Sequence, residues 1–293
     1  MTILFRTFWA IVFSFPASIT IAQSTTAHVS RYANDNADSL QSFCFGRFQI
    51  TPIFSGLIST RRVNGWAQPE PVYSWLICTS TDTILIDAGM NKHVSNGSFF
   101  PYYMRPLIRL KYRFAVTDID SVLRRKGIDH KSVKYILLTH AHFDHIGYLD
   151  CFPTSKIVMS QKEYQDATSS FCFWKGYTPN VLNISRHDFM LLPVSTNINF
   201  GNDRSNEVSP GIYYLSSGEH TKGHLMFILK DGLRYICFIG DEDINGLKNG
   251  SLFAAKFVRF ENSNSCVIVG NHDVKAIEKL NFFCTRKFFA KND

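Results

Sequence analysis

The sequence predicts a single α/β domain, and three observations lead there. Apolar runs of strand length alternate with helical patterns from about Phe45 to the C-terminal region. The chain has 293 residues, 45% hydrophobic and 19% charged, which is enough apolar material for one sizeable core. No repeat, low-complexity tract or linker divides the stretch.

Two segments precede the domain. Arg6 is followed by an apolar run from Phe8 to Ile21 and by Ala22. A basic start, a short apolar centre and small residues at its end are the pattern of an export signal cleaved near Ala22, residues 1–22. The run is shorter than the roughly 20 residues that span a bilayer, so cleavage is favoured over a retained anchor. No later segment is long and apolar enough to span. The expected mature protein is secreted or periplasmic, without an integral membrane segment. Residues 23–44, rich in Ser, Thr, Asn and Asp, read as a flexible lead-in to the α/β domain over 45–293.

Within the domain, strands are expected at Phe48–Ile58, Val72–Cys78 and Thr83–Ile86. A helix over Ile119–Leu123 has Thr117 or Asp118 as its cap and Gly127 as its stop. Val133–Leu138 is a buried strand. Further strands are expected at Lys156–Met159, Ile212–Leu215, Leu225–Leu229, Tyr235–Ile239 and Cys266–Val269, and helices at Leu252–Phe260 and Val274–Leu280. Ser98–Phe114 stands apart. Its aromatics, followed by Arg105, Arg109, Lys111 and Arg113, fit either a lid facing substrate or a packed amphipathic segment.

The formal charge of +7 is carried by scattered residues, so a solvated surface explains it and no nucleic-acid partner is expected. The seven cysteines form no CxxC and no zinc-finger spacing. Cys78, Cys237 and Cys266 lie in apolar runs, where buried free thiols are common.

The chemistry is concentrated in His140-Ala141-His142-Phe143-Asp144-His145. Random placement yields on the order of one such string per thousand chains of this composition. It follows directly on the strand Val133–Leu138, at a strand's C-terminal edge, where open α/β sheets place their sites. Alternate side chains His140 and His142 can reach one cation, and Asp144 and His145 a second. Imidazole and carboxylate suit zinc, and also iron or manganese. Three further donors follow or precede strands: His220 in Gly218-Glu219-His220-Thr221, Asp241 in Ile239-Gly240-Asp241, and His272 in Gly270-Asn271-His272-Asp273.

The order of Asp87 in Leu85-Ile86-Asp87-Ala88-Gly89, the His140 string, the His220 string, Gly240-Asp241 and His272 resembles the metallo-β-lactamase superfamily. The likeness covers roughly residues 45–285 and implies a four-layer αββα sandwich. Pro71–Leu76, Phe99-Phe100-Pro101 with Arg105-Pro106-Leu107, Gly176–Asn180 and Asn271-His272-Asp273 look most like the N-acyl-homoserine lactonase branch. The resemblance implies two divalent ions: His140, His142 and His220 on one, Asp144, His145 and His272 on the other, and Asp241 bridging both. Asp87 would orient a ligand histidine, and His224 would be structural. The implied reaction is hydrolysis of a small-molecule lactone or ester by a hydroxide shared between the ions, with Asp144 and Asp241 as catalytic groups. Alternatives within the fold are a glyoxalase II-like thioesterase, a phosphodiesterase and a β-lactamase. A redox protein or a silent binding protein stands further off. Two positions depart from the family pattern: Glu219 replaces a glycine, and Ile244 replaces the lactonase tyrosine. Tyr102, Tyr103 and Tyr148 are candidate substitutes for that phenol.

Overall fold

Strict alternation of side chains along the strands builds two sheets that share one core. The computed structural model describes residues 41–179, 181–182, 187–200, 204–243 and 252–286. The segment 1–22, most of 23–44 and Ile244 therefore lie outside the described residues.

The first sheet opens with β1 (Phe43–Phe45), β2 (Phe48–Arg62), β3 (Gly65–Trp66), β4 (Glu70–Cys78) and β5 (Thr83–Ile86), each antiparallel to its neighbour. β6 (Tyr112–Val116) pairs with the second half of β2. β7 (Val133–Leu137), β8 (Lys156–Ser160) and β9 (Asp188–Leu192) then extend the sheet in parallel from β5. The second sheet runs β10 (Glu207–Ser209), β11 (Ile212–Ser216), β12 (Leu225–Asp231) and β13 (Arg234–Phe238), all antiparallel, and adds β14 (Ser265–Val269) parallel to β13.

Residues one apart in sequence point to opposite faces of a strand. Trp75, Ile84, Ile86 and Leu137 therefore face Phe227, Ile236 and Phe238 of the other sheet. Trp75 is fully buried there, 5.3 Å from the Phe238 ring. Truncating such a side chain costs about 3–5 kcal/mol. Their neighbours Leu76, Leu85 and Ile136 point outward and are covered by α2 (Ile119–Arg125), which follows α1 (Arg105–Lys111). α3 (Gln161–Ala167) follows β8. On the far side, Met226, Ile228 and Cys237 pack under Phe257 and Phe260 of α4 (Leu252–Ser263). α5 (Ala276–Thr285) closes one end of the inter-sheet core with Leu280 and Phe283. The order helix, sheet, sheet, helix is the expected αββα sandwich.

Element bounds agree with the sequence reading where periodicity is strong. Asp118 is the cap of α2, its side chain accepting from the Asp120 amide. Phe43 and Cys44, just ahead of the boundary drawn at 45, pair with Ile50 and Gln49. Ser98–Phe114 is not one helix: the short α1 passes directly into β6.

Candidate metal centre

Each donor sits where a strand ends. Asp87 follows β5, the His140 string follows β7, Asp241 follows β13 and His272 follows β14, while His220 lies in the turn between β11 and β12. These ends meet at one rim of the sandwich, and the donors fall into two groups. The ring nitrogens of His140, His142 and His220 lie within 4.8 Å of one another, as do the donor atoms of Asp144, His145, Asp241 and His272. All seven residues singled out in the sequence are thus brought together.

Asp87 organises the buried side. It is fully buried and holds φ of 57°, a left-handed conformation that costs a non-glycine residue about 1–2 kcal/mol. Its carboxylate accepts from the Thr139 amide at 2.8 Å and from Thr139 Oγ1 at 2.9 Å. It also accepts from His145 Nδ1 at 2.9 Å and Asn271 Nδ2 at 2.7 Å. One side chain thereby ties β5 to the loops that carry His140, His145 and His272.

The same bonds settle which nitrogen each imidazole turns to the site. Thr139 Oγ1 gives its proton to Asp87, so it accepts from His140 Nδ1 at 3.1 Å. His145 Nδ1 donates to Asp87, and His272 Nδ1 donates to the Pro71 carbonyl at 2.8 Å. All three present Nε2 inward, the arrangement by which ligand histidines are fixed in metal sites.

Fit to a cation is read from atoms that lack a partner. His142 Nδ1 lies 3.0 Å from His140 Nε2 and 3.1 Å from His220 Nε2, a convergence of lone pairs that a positive charge would satisfy. His145 Nε2 and Asp241 Oδ1 face each other at 3.1 Å, yet both are buried without a hydrogen bond of acceptable geometry. Asp241 Oδ2 is 3.7 Å from both His140 Nε2 and His220 Nε2 and 3.3 Å from His272 Nε2, so this carboxylate stands between the two groups. Nitrogen and oxygen donors at this spacing suit a pair of divalent ions.

The two groups differ in charge. Burial, followed by the neighbouring histidines, holds His140 well below the ordinary imidazole range. Burial and His220 bring His142 down to about 4. Burial also works against the charged forms of His145 and His272, but Asp241 and other adjacent carboxylates outweigh it and raise both well above the usual value. Asp241 is correspondingly held well below the carboxylate range, its burial overcome by His272 and His145.

Residues outside the donor set brace the site, and of these Glu163, Ser160 and Glu242 were not singled out in the sequence. Glu163 of α3, fully buried, accepts from the Ala141 amide at 2.9 Å and from Thr221 Oγ1 at 2.7 Å, joining the loop of His140 and His142 to that of His220. Ser160 Oγ fixes the same turn through the Gly223 carbonyl at 2.6 Å. Gly223 is obligatory there, since a Cβ would lie 2.2 Å from the Glu163 amide. Ser160-x-x-Glu163 is a capping-box pattern, which hides the second use of the glutamate. Asn271 donates to both Asp87 and the Tyr73 carbonyl. Glu242 accepts from the His220 amide at 3.2 Å and pairs with His224 Nδ1 at 3.2 Å. His224 belongs to neither donor group. The Glu219 side chain is exposed while its amide donates to Glu242.

The donors open into a cavity of about 480 Å³. Its walls include Ile58, Tyr112, Phe143 and Trp174, with Lys111, Lys175 and Glu70 at the polar positions. Tyr102 and Tyr103 are exposed outside it, and Tyr148 is buried with its hydroxyl accepting from the Lys92 amide. Tyr112 is the cavity's phenol among the described residues.

Comparison with known proteins shows what parts of the chain are similar to. Residues 67–153 match the model of the metallo-β-lactamase superfamily, a stretch that includes Asp87 and the whole His140 string. The chain is also similar to N-acyl homoserine lactonases. One from Bacillus sp. is 28% identical over 168 residues, 55% of this chain and 58% of that protein. AiiB of Agrobacterium fabrum is 23% identical over 157 residues, 53% and 56% of the two chains. The chain thus matches little more than half the length of these curated relatives. Among solved structures, an N-acyl homoserine lactone hydrolase with N-hexanoyl-L-homoserine at its catalytic metal centre superposes with a TM-score of 0.60 at 17% identity, covering 77% of this chain and 93% of that one. The dizinc quorum-quenching lactonase AidC gives a TM-score of 0.50 at 16% identity, over 69% of this chain and 74% of that one.

Proposed function

We propose that this chain is a metal-dependent hydrolase of lactones or esters, with N-acyl homoserine lactones as the model substrate. The observation that carries the reading is the pair of donor groups joined through Asp241 at the floor of a cavity with apolar walls. The first ion is assigned to His140, His142 and His220, the second to Asp144, His145 and His272, with Asp241 shared and zinc the preferred metal. Such ions, when bound, supply Lewis acidity and a water of lowered pKa.

The chain's own groups do the rest. Asp87, the Pro71 carbonyl and Thr139 keep three imidazoles in the tautomer that donates a lone pair inward. Asp144 lies in the cavity wall and is held below the usual carboxylate range, where burial is outweighed by His145 and His272. It is therefore ionised at neutral pH and placed to accept the proton of the attacking water. It can return that proton to the departing alkoxide, so that lactone and water give a hydroxy acid. Ile58, Phe143 and Trp174 exclude water around an acyl chain, and Tyr112 takes the substrate-holding part of the family's tyrosine. The apolar stretch before Gln23 supports export, so the substrate would be met outside the cytoplasm.

The test is a parallel assay of the metal-reconstituted protein on an N-acyl homoserine lactone, an acyl thioester, a β-lactam and a nitrophenyl phosphodiester. Lactone turnover that a chelator removes and added metal restores is the expected result. Turnover of another class with an inert lactone overturns it.

A further inference from the structure

The segment that borders the cavity mouth is built unlike the rest of the surface. α1 buries none of its residues. Tyr103, Leu107 and Leu110 follow at spacings of four and three, one side of a helical turn, and they are 51%, 53% and 58% exposed. Tyr102 stands beside them at 79%. The neighbouring turn contributes Phe171 at 70% and Trp174 at 80% exposure. The Tyr103 ring meets Phe173 at 6.1 Å, so the two segments form one continuous patch. Scattered apolar residues on a surface need no explanation, but a contiguous aromatic and leucine patch does.

Two further features decide what the patch meets. Ser98–Val116 contains Arg105, Arg109, Lys111 and Arg113 and no aspartate or glutamate. The segment is also anchored from beneath: Phe100 and Met104 are buried against Phe143, the residue before Asp144. Its outer face is thus firmly presented rather than free to fold inward. Exposed tryptophan, tyrosine and leucine beside a segment that carries four cations and no acid match the layered chemistry of a lipid headgroup region. A protein partner would need acidic groups around an apolar centre; an anionic bilayer offers both over a broad plane.

We infer that the patch of Tyr102, Tyr103, Leu107, Leu110, Phe171 and Trp174, with the cations of α1, docks the protein on an anionic phospholipid surface. Trp174 and Lys111 line the cavity as well, so docking sets the mouth of the cavity at the lipid boundary, where acylated molecules partition. No helix among the described residues is long and apolar enough to cross a membrane. The inference does not depend on which bond the site cleaves.

The experiment is sedimentation of the full chain with vesicles of phosphatidylcholine alone or with about one-third phosphatidylglycerol. The expected result is binding to the anionic vesicles that weakens as salt is raised, with a blue shift in tryptophan emission that Trp174→Phe removes. Leu107→Ser combined with Leu110→Ser should lower partitioning at least about tenfold, with an unchanged circular dichroism melt showing that the variant is folded. Arg109→Glu provides a second variant, expected to weaken binding to anionic vesicles alone. Equal binding by the leucine variant would mean that another segment makes the contact, and would overturn the inference. So would absence of binding to either vesicle, or a concentration-dependent dimer that the leucine variant abolishes.

Discussion

The two halves of the centre solve the same problem by opposite means. His140, His142 and His220 set nitrogen against nitrogen with no carboxylate of their own, and burial holds all three below the ordinary imidazole range. His145 and His272 are interleaved with Asp144 and Asp241, which raise both imidazoles while the carboxylates are held down. The mixed half therefore balances its charges internally, whereas the three-histidine half turns uncharged imidazole nitrogens toward one another, a set that a cation would bind. Metal entering the mixed half must displace protons; metal entering the other half meets bare donors.

The most damaging change removes the group that both halves share. Asp241→Ala should release both ions and bring the proposed lactone hydrolysis to background, measured by metal analysis and turnover on one sample. Two full equivalents of metal in that variant would refute the bridging assignment. Asp87→Asn tests the buried side: asparagine keeps the shape and tolerates positive φ, but Oδ1 accepts from the Thr139 amide and Oδ2 from Thr139 Oγ1, His145 and Asn271, so the NH2 of an amide must face one of these donors. A loss of about 10–100-fold in affinity is expected, larger at the site of His145, which Asp87 bonds directly, than at that of His140, which it reaches through Thr139, and visible as a two-phase metal titration. Glu163→Gln is the counterpart on the other side, since it loosens the tie between Ala141 and Thr221. About a tenfold loss, confined to the three-histidine site, is expected from the same titration.

The smallest effect is on pH dependence without metal. His142 has a folded pKa of about 4, below the unfolded value near 6.5. A base depressed in this way stabilises the fold above the unfolded value, and that stability is lost as pH falls toward 4. His145 and His272, being raised, contribute in the opposite sense: their stability is complete below the unfolded value and is lost only as pH rises through the folded one. The chelated protein should therefore melt at lower temperature at pH 5 than at pH 7, and His142→Gln should shrink that difference. Scanning calorimetry in buffered chelator checks it.

The glycines around the centre show how little freedom the loops have. Gly240 holds φ of 58° directly before Asp241, and a Cβ there would lie 2.6 Å from His224 Nε2. Gly240→Ala combines backbone strain with overpacking, and is expected to cost about 1–3 kcal/mol.

Short-range patterning made much of this legible from the chain alone. Short continuous apolar runs marked β4, β5 and β12, because both faces of these strands are covered by other layers. The His140 string was visible because its donors lie within six residues, and His220, Asp241 and His272 were located by following strands. The elements that escaped were those held by contacts distant in sequence. β6 exists because Tyr112–Val116 finds the second half of β2, and its own pattern reads as a continuation of α1. Tyr148 was one of three candidate phenols, and the fold buries it while turning Tyr112 to the cavity. Glu163 looks like a helix cap and acts as a clamp between two loops, since its partners at Ala141 and Thr221 lie 22 and 58 residues away. The sequence by itself determined which donors this protein owns and the strand ends that carry them. Only the tertiary structure decided which of them share a charge, because proximity between remote loops sets burial and electrostatic pairing, and neither is written in local order.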